Sequence, residues 1–138
     1  MLIELKRVDE DYAFEAKDAL GHAIRIDSNA SSGGHDTGFR PMQLLLAGLG
    51  GCSGIDIVSI LKKQKQRIDS FSIEIDGERD AGHEPSLWSS ARIRYILTGE
   101  VDISKAQRAV DLSMTKYCSV AETLRKSGTQ LHWEVVVQ

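Results

Sequence analysis

The segment from Pro41 to about Gln66 constrains the fold of this 138-residue chain more than any other part of its sequence. It is the longest and most apolar stretch with helical periodicity, and Pro41 stands where a helix favours its first residue. Each glycine inside a helix costs about 1 kcal/mol against alanine, and this segment contains Gly48, Gly50, Gly51 and Gly54. A helix that tolerates this loss is expected to have another backbone packed very close to it. We therefore predict that it is the central helix of the fold.

Part of this segment, from Met42 to Leu61, resembles a membrane span in its apolar character. It contains Asp56, however, and it runs directly into Lys62 and Lys63. A charge near the centre of a bilayer is costly. We therefore predict a helix that is apolar on most sides inside a soluble protein, with no membrane as a partner.

The remaining segments predict short strands and a second helix. Strands are predicted where apolar and polar residues alternate, over 2–8, 11–18, 22–27, 71–75, 91–95 and 131–137. Ser28–Phe39 is rich in Ser, Gly and Asn and is predicted to be a loop, and Asp102 is predicted to cap a helix over 103–117. This order favours an α+β fold, with antiparallel sheets around the central helix, in a single domain of residues 1–138.

Composition and charge exclude several classes of function. The net charge is −3 and the basic residues are scattered, which argues against nucleic acid as the main partner. The N-terminus lacks the features of a secretory signal, and two cysteines do not make a disulfide scaffold, so a reducing cytoplasmic location is expected. No metal site or cofactor is expected, because no metal-ligand spacing connects the four histidines: His22, His35, His83 and His132.

Cys118 is the cysteine with the clearer physical signature. It directly precedes a capping box, Ser119-Val120-Ala121-Glu122, so a helical turn should begin just after it. Its sulfur would then lie near the first free N–H groups of that helix, where the helix dipole favours a thiolate. The alternative is that Cys118 is a small buried hydrophobic residue that happens to precede a helix.

Cys52 lies about three turns into the predicted central helix, too deep for the helix dipole to act on it. Asp56 is four residues further on and would disfavour a thiolate if it points the same way. A reactive Cys52 would need a cationic neighbour from elsewhere, and Arg40, Arg25 and Arg7 are candidates. The alternative is a structural cysteine of the core.

Two stretches of this sequence resemble the OsmC/Ohr family of osmotically inducible and organic-hydroperoxide-resistance proteins. The first runs from Arg40 to Ser53 and places a cysteine midway along a Gly/Ala-rich helix, which is the most specific feature of that family. The second runs from Lys116 to Ala121 and contains Cys118 at the right distance downstream. The similarity in element order covers nearly the whole chain.

The resemblance implies an intertwined α+β homodimer with two active sites at the subunit interface. In the peroxidase members of the family, the cysteine that matches Cys52 attacks an organic peroxide and becomes a sulfenic acid. The cysteine that matches Cys118 resolves it as a disulfide, and a dithiol such as protein-bound lipoate, or another small thiol, restores the enzyme. This sequence of steps agrees with the general oxidation chemistry of cysteine.

The sequence departs from the family pattern at several positions, which places it in a divergent OsmC-like branch. The family glutamate ten residues before the first cysteine is replaced by Met42, with Gln43 beside it. The stretch Tyr12–Glu15 lacks the matching arginine, and Ser119 stands where a proline often follows the second cysteine. These departures imply a less nucleophilic thiol, and therefore a weak peroxidase or one that acts on another oxidant.

The leading hypothesis is a thiol-dependent peroxidase in which Cys52 is the nucleophile and Cys118 resolves it. Arg40 or Arg25 would stabilise the thiolate. The central helix would supply an apolar substrate pocket, for which the candidates are Met42, Gln43, Leu45 and Leu49. One alternative is a non-enzymatic, stress-related binding protein that holds an apolar ligand in the interface pocket. Another is that both cysteines are only core residues.

Overall fold

The computed structural model describes all residues from Met1 to Gln138. Contacts between Cα atoms divide the chain into two units, Met1–Leu45 and Leu46–Gln138. The boundary falls inside the long helix α1, Pro41–Lys63. The single domain predicted from the sequence stays a prediction.

The first unit is built on a three-stranded antiparallel meander, as predicted. Its strands follow the chain order and are β1 (Ile3–Arg7), β2 (Phe14–Asp18) and β3 (Ala23–Ile26). The turn between β2 and β3 is fixed by the side chain of Asp18, whose Oδ1 accepts the backbone N–H groups of Leu20 and His22, both at 2.9 Å. An aspartate side chain that accepts hydrogen bonds from nearby backbone N–H groups is a common way to stabilise a tight turn.

The loop after β3 is organised around the buried carboxylate of Asp27. Asp27 accepts the backbone N–H groups of Ser28 (2.7 Å), His35 (3.2 Å) and Thr37 (3.1 Å), and it also accepts the Thr37 hydroxyl at 2.7 Å. These hydrogen bonds, led by that from the Thr37 side chain, lower the pKa of Asp27 to about 2. The predicted loop is therefore an ordered segment, with one short 3₁₀ turn over Ala30–Ser32.

The second unit contains most of α1 and a second three-stranded sheet. Its further elements are β4 (Arg67–Arg79), β5 (Trp88–Glu100), α2 (Ile103–Leu112), α3 (Ser119–Lys126) and β6 (Gln130–Val137). The strand order is β4-β5-β6. The α+β class is confirmed, but β6 pairs with β5 in parallel rather than in the antiparallel sense expected. Parallel strands need a long crossover connection, and here α2 and α3 supply it.

Two of the glycines in α1 allow the helix to pack closely on β4. A Cβ added at Gly50 would lie 3.1 Å from Cδ1 of Ile75, and one added at Gly54 would lie 3.0 Å from Cδ1 of Ile73. Gly51, in contrast, has nothing within 4 Å of such a Cβ. Gly50 and Gly54 therefore have close neighbours, but these are side chains of β4 and not the second backbone that the sequence predicted.

Helix α1 is long and apolar enough to cross a membrane. The core helix of a soluble protein can meet the same two criteria of length and composition. Its apolar window has a mean hydropathy of 1.9, and only 28% of that window is buried within the chain. Much of the apolar surface of α1 is therefore not covered by the rest of this chain.

The predicted helix over 103–117 differs from the structure in its second half. The α-helix ends at Leu112 and is followed by a wider, π-helical turn over Ser113–Tyr117. The N–H of Cys118 closes this turn by donating to the Ser113 carbonyl at 2.8 Å. Turns of this kind are frequent at functional sites, and this one leads directly to the second cysteine.

Candidate redox site

Cys52 lies in the middle of α1 and is half-buried. Its neighbour Ser53 is fully buried and points into the second unit, where its hydroxyl donates to the Leu49 carbonyl at 2.8 Å. The hydroxyl of Tyr95, on β5, donates to Ser53 Oγ at 2.9 Å. This contact fixes the rotation of α1 relative to β5, and with it the direction in which Cys52 points.

Cys118 is the N-cap of α3, which confirms that a helix begins just after it. Its Sγ accepts the N–H of Ala121 at 3.4 Å, and its carbonyl accepts the N–H of Glu122 at 3.1 Å. The capping residue is thus the cysteine itself rather than Ser119. Sequence analysis identified the helix start within one residue.

Of the two interpretations of Cys118, the structure favours the small buried residue over the ready thiolate, although its sulfur does lie at the start of a helix. Cys118 is only 4% exposed, and this burial raises the pKa of its thiol from an ordinary 9.0 to about 11. The neighbouring Cys52 thiol raises the pKa further, while the N–H of Ala121 opposes the shift. The loss of hydration outweighs the favourable contacts with the backbone N–H groups of Ala121 and Val120, because these donors do not replace the hydration that a thiolate loses on burial.

The fold brings both thiols and one carboxylate together. The Sγ atoms of Cys52 and Cys118 and a carboxylate oxygen of Asp56 all lie within 4.8 Å of one another. The prediction that the two cysteines meet in the folded chain is therefore confirmed. Asp56 points to the same side of α1 as Cys52, as one helical turn allows, and its Oδ2 accepts the hydroxyl of Ser113 at 2.9 Å.

Tyr95 connects the segments that bear the two cysteines. Besides its bond to Ser53, its hydroxyl donates to Sδ of Met114 at 3.2 Å, in the π-helical turn that precedes Cys118. Burial raises the pKa of Tyr95 to about 12, so the phenol remains a donor. Sequence analysis did not single out Tyr95. The available signal was a phenol on the buried face of an alternating strand, where a buried hydroxyl usually has a partner.

Arg125, on α3, is a second residue that sequence analysis missed. Its guanidinium donates to the carbonyl of Met114 and to Glu122 Oε2, the latter at 2.8 Å. It therefore holds the π-helical turn against the first turns of α3, on either side of Cys118.

The arginines proposed from the sequence lie in the first unit. Arg40 forms an ion pair with Asp36 at 2.8 Å, and its backbone N–H donates to Oε1 of Gln43 at 3.0 Å. Arg25 lies on β3, paired with Glu15 on β2. The role of Arg40 or Arg25 in stabilising a thiolate stays a prediction.

The candidate pocket residues differ widely in their exposure. Met42 is half-buried and Gln43 is exposed, while Leu45 is 44% exposed and Leu49 is fully buried in the core of this chain. Leu45 therefore presents exposed apolar surface, whereas Leu49 presents none. An apolar substrate pocket formed by these four residues stays a prediction.

Comparison with known proteins identifies the family. The family model described as OsmC-like protein matches residues 34–134. The chain belongs to the OsmC family. Protein YhfA of Escherichia coli K12 is 38% identical over 129 residues, which is 92% of each chain.

Solved structures show the same fold over the whole chain. A hypothetical protein from Aquifex aeolicus is 33% identical with a TM-score of 0.81, and the match covers 99% of this chain and 96% of that one. An organic hydroperoxide resistance protein OsmC from Legionella pneumophila has a TM-score of 0.73 at 17% identity, with 99% and 97% covered. The first relationship extends to sequence, whereas the second concerns the fold alone.

Proposed function

We propose that this protein is a thiol-dependent peroxidase that reduces organic hydroperoxides through Cys52 and Cys118. The observation that carries the proposal is the approach of the two sulfur atoms to within 4.8 Å. A disulfide needs a sulfur–sulfur bond of about 2.05 Å, so side-chain rotation and a small shift of one segment would join them. The family includes hydroperoxide-resistance proteins, which supports this oxidant class.

The difference in exposure between the two cysteines supports Cys52 as the nucleophile and Cys118 as the resolving residue. Cys52 is the more exposed of the two cysteines, whereas Cys118 is buried and largely protonated at neutral pH because its pKa is about 11. A peroxide therefore meets Cys52 first, and a thiol that does not compete for the peroxide suits the resolving step.

The reaction has two oxidative steps. The Cys52 sulfur attacks one peroxide oxygen, the O–O bond breaks, and an alcohol leaves with a proton, which gives Cys52 sulfenic acid. The Cys118 sulfur then attacks the Cys52 sulfur; a disulfide forms and water leaves with the thiol proton. A dithiol of the lipoyl type, or another small thiol, would restore both cysteines by exchange in a reducing compartment such as the cytoplasm.

Stoichiometry and disulfide mapping test this function. Reduced protein titrated with cumene hydroperoxide should lose two thiols and yield one alcohol per peroxide, with a Cys52–Cys118 disulfide in the peptide map. In Cys118→Ser, a dimedone-reactive sulfenic acid should persist at Cys52. Loss of both thiols without the Cys52–Cys118 disulfide would contradict the assignment, as would thiols that survive an excess of peroxide.

We also propose that the protein is a homodimer that covers the open face of α1. Along this face, exposed residues repeat every four positions, as Ala47, Gly51, Ile55 and Ser59. Ile55 is 74% exposed, and small residues beside it would allow another helix to approach closely. Sedimentation should give twice the 15.2 kDa mass of one chain, and Ile55→Glu should reduce it to one chain. A monomeric wild-type protein at micromolar concentration would refute the dimer.

A further inference from the structure

We propose that Cys52, Asp56 and Cys118 together bind one thiophilic divalent cation of the zinc class while both thiols are reduced. The sequence predicted no metal site, because no ligand spacing connects the four histidines, and none of these histidines belongs to the present cluster. The fold places one ligand atom from each of the three side chains within 4.8 Å of the other two. This property goes beyond peroxide reduction and does not depend on it.

The separations fit a tetrahedral ion with little adjustment. Zinc binds thiolate sulfur at about 2.3 Å and carboxylate oxygen at about 2.0–2.2 Å, so ligand atoms in a tetrahedral site lie about 3.5–3.8 Å apart. The observed limit of 4.8 Å exceeds this spacing by about an ångström. Rotation of the short Cys and Asp side chains can supply a closure of this size.

Two of the three ligands already have the supporting hydrogen bonds that metal sites use. The Ser113 hydroxyl donates to Asp56 Oδ2 at 2.9 Å, which orients the carboxylate and leaves its other oxygen available. The N–H of Ala121 donates to Cys118 Sγ at 3.4 Å, a contact that stabilises a metal-bound thiolate. Such outer contacts commonly fix the orientation of ligands and increase their affinity for the metal.

The ligand types select the kind of ion. Two sulfurs favour zinc or cadmium over magnesium and calcium, which prefer all-oxygen sites. One carboxylate and two thiolates carry more negative charge than a divalent ion neutralises, and binding releases the two thiol protons. Three protein ligands would leave the fourth position of a tetrahedral ion open to water or another ligand.

Metal binding and disulfide formation exclude each other, because both use the same sulfur electron pairs. If a hydroperoxide oxidises the loaded site, two thiolates lose one electron pair to the O–O bond. Two protons are consumed, and the products are the Cys52–Cys118 disulfide, an alcohol, water and the free cation. The bound ion would therefore be released on oxidation.

Anaerobic titration of the full-length reduced protein with Cd²⁺ tests the site. Thiolate-to-cadmium charge transfer in the ultraviolet should saturate at one Cd²⁺ per chain, and a large excess of Zn²⁺ should compete for the same site. Cys52→Ser and Cys118→Ser should each weaken binding by a hundredfold or more, and Asp56→Asn by at least tenfold. Asp76→Asn, on the exposed face of β4, is the matched control and should bind like wild type.

A second readout guards against variants that fail to fold. Zn²⁺ at one fixed concentration should raise the melting temperature of the wild type and of Asp76→Asn by more than that of Asp56→Asn, because stabilisation of the native state grows with the affinity of the ligand. Absence of a charge-transfer band at one equivalent would overturn the proposal, and so would equal Cd²⁺ affinity in Asp56→Asn and the wild type. The titration contains no peroxide, so its failure would leave the peroxidase test unaffected.

Discussion

The raised pKa of Cys118 can be tested by alkylating this residue alone in the Cys52→Ser variant across a range of pH. A pKa of about 11 instead of 9.0 leaves about a hundredfold less thiolate at any pH below 9. Only the thiolate reacts with iodoacetamide. The folded variant at pH 8 should therefore be alkylated about a hundredfold more slowly than the same variant in urea, because the loss of thiolate and the burial of the sulfur both slow the reaction.

Pulsed alkylation with peptide mass spectrometry measures this rate directly. Between pH 7 and pH 10 the rate for folded Cys118 should rise about tenfold per pH unit. The substitution removes the Cys52 thiol, which is a smaller cause of the shift, so the pKa should fall slightly but remain above 9.0. A rate that levels off near pH 9, or a native rate within a few-fold of the unfolded one, would refute the argument that burial controls this thiol.

The same shift has a consequence for stability. A thiol whose pKa is higher in the folded state than in the unfolded state favours folding while it is protonated. That contribution is fully present below pH 9 and is lost as the pH rises through about 11.

Three further predictions concern groups around the two structural units. Tyr95→Phe should lower the free energy of unfolding by about 1–2 kcal/mol, because it removes a buried hydrogen bond; urea unfolding would show this, and an equal loss in Tyr117→Phe, at a half-exposed control site, would contradict it. Asp27→Asn should speed hydrogen exchange of the Thr37 amide, because this amide donates to the Asp27 carboxylate. Unchanged protection would contradict the role of Asp27 in organising the loop. In the wild type, that protection should persist as the pH falls to about 4 and be lost only near the lowered pKa of about 2. Ser113→Ala should reduce Cd²⁺ affinity about tenfold, measured by the same titration, and an unchanged affinity would show that its bond to Asp56 does not support the metal.

Much of the fold follows from local patterns that can be read along the sequence. The alternation around Phe14 and Ile24 marks two strands of the meander, and the run from Pro41 marks α1. The parallel pairing of β6 could not be predicted, because Leu131 and Trp133 alternate in the same way whichever direction the neighbouring strand runs. Strand direction depends on the path of the intervening chain rather than on local periodicity.

Of the candidate site, the sequence predicted only that the sulfur atoms of Cys52 and Cys118 come together. Residues 119–122 indicate a helix start, and this placed Cys118 correctly at the end of the preceding turn. The sequence left open whether Cys118 is a thiolate or a small buried residue, because its burial depends on how distant segments pack against it. Asp56 and Ser113 come together across separate helical segments, so neither their contact nor their proximity to Cys118 could be inferred from spacing.

The distance between the two cysteines along the chain has a thermodynamic consequence. A covalent link from α1 to the start of α3 would close a loop of roughly 65 residues, which removes conformational entropy from the unfolded chain equivalent to about 4 kcal/mol. The oxidised protein should therefore resist heat and denaturant better than the reduced one. Its redox state should be visible in its melting temperature before any product is measured.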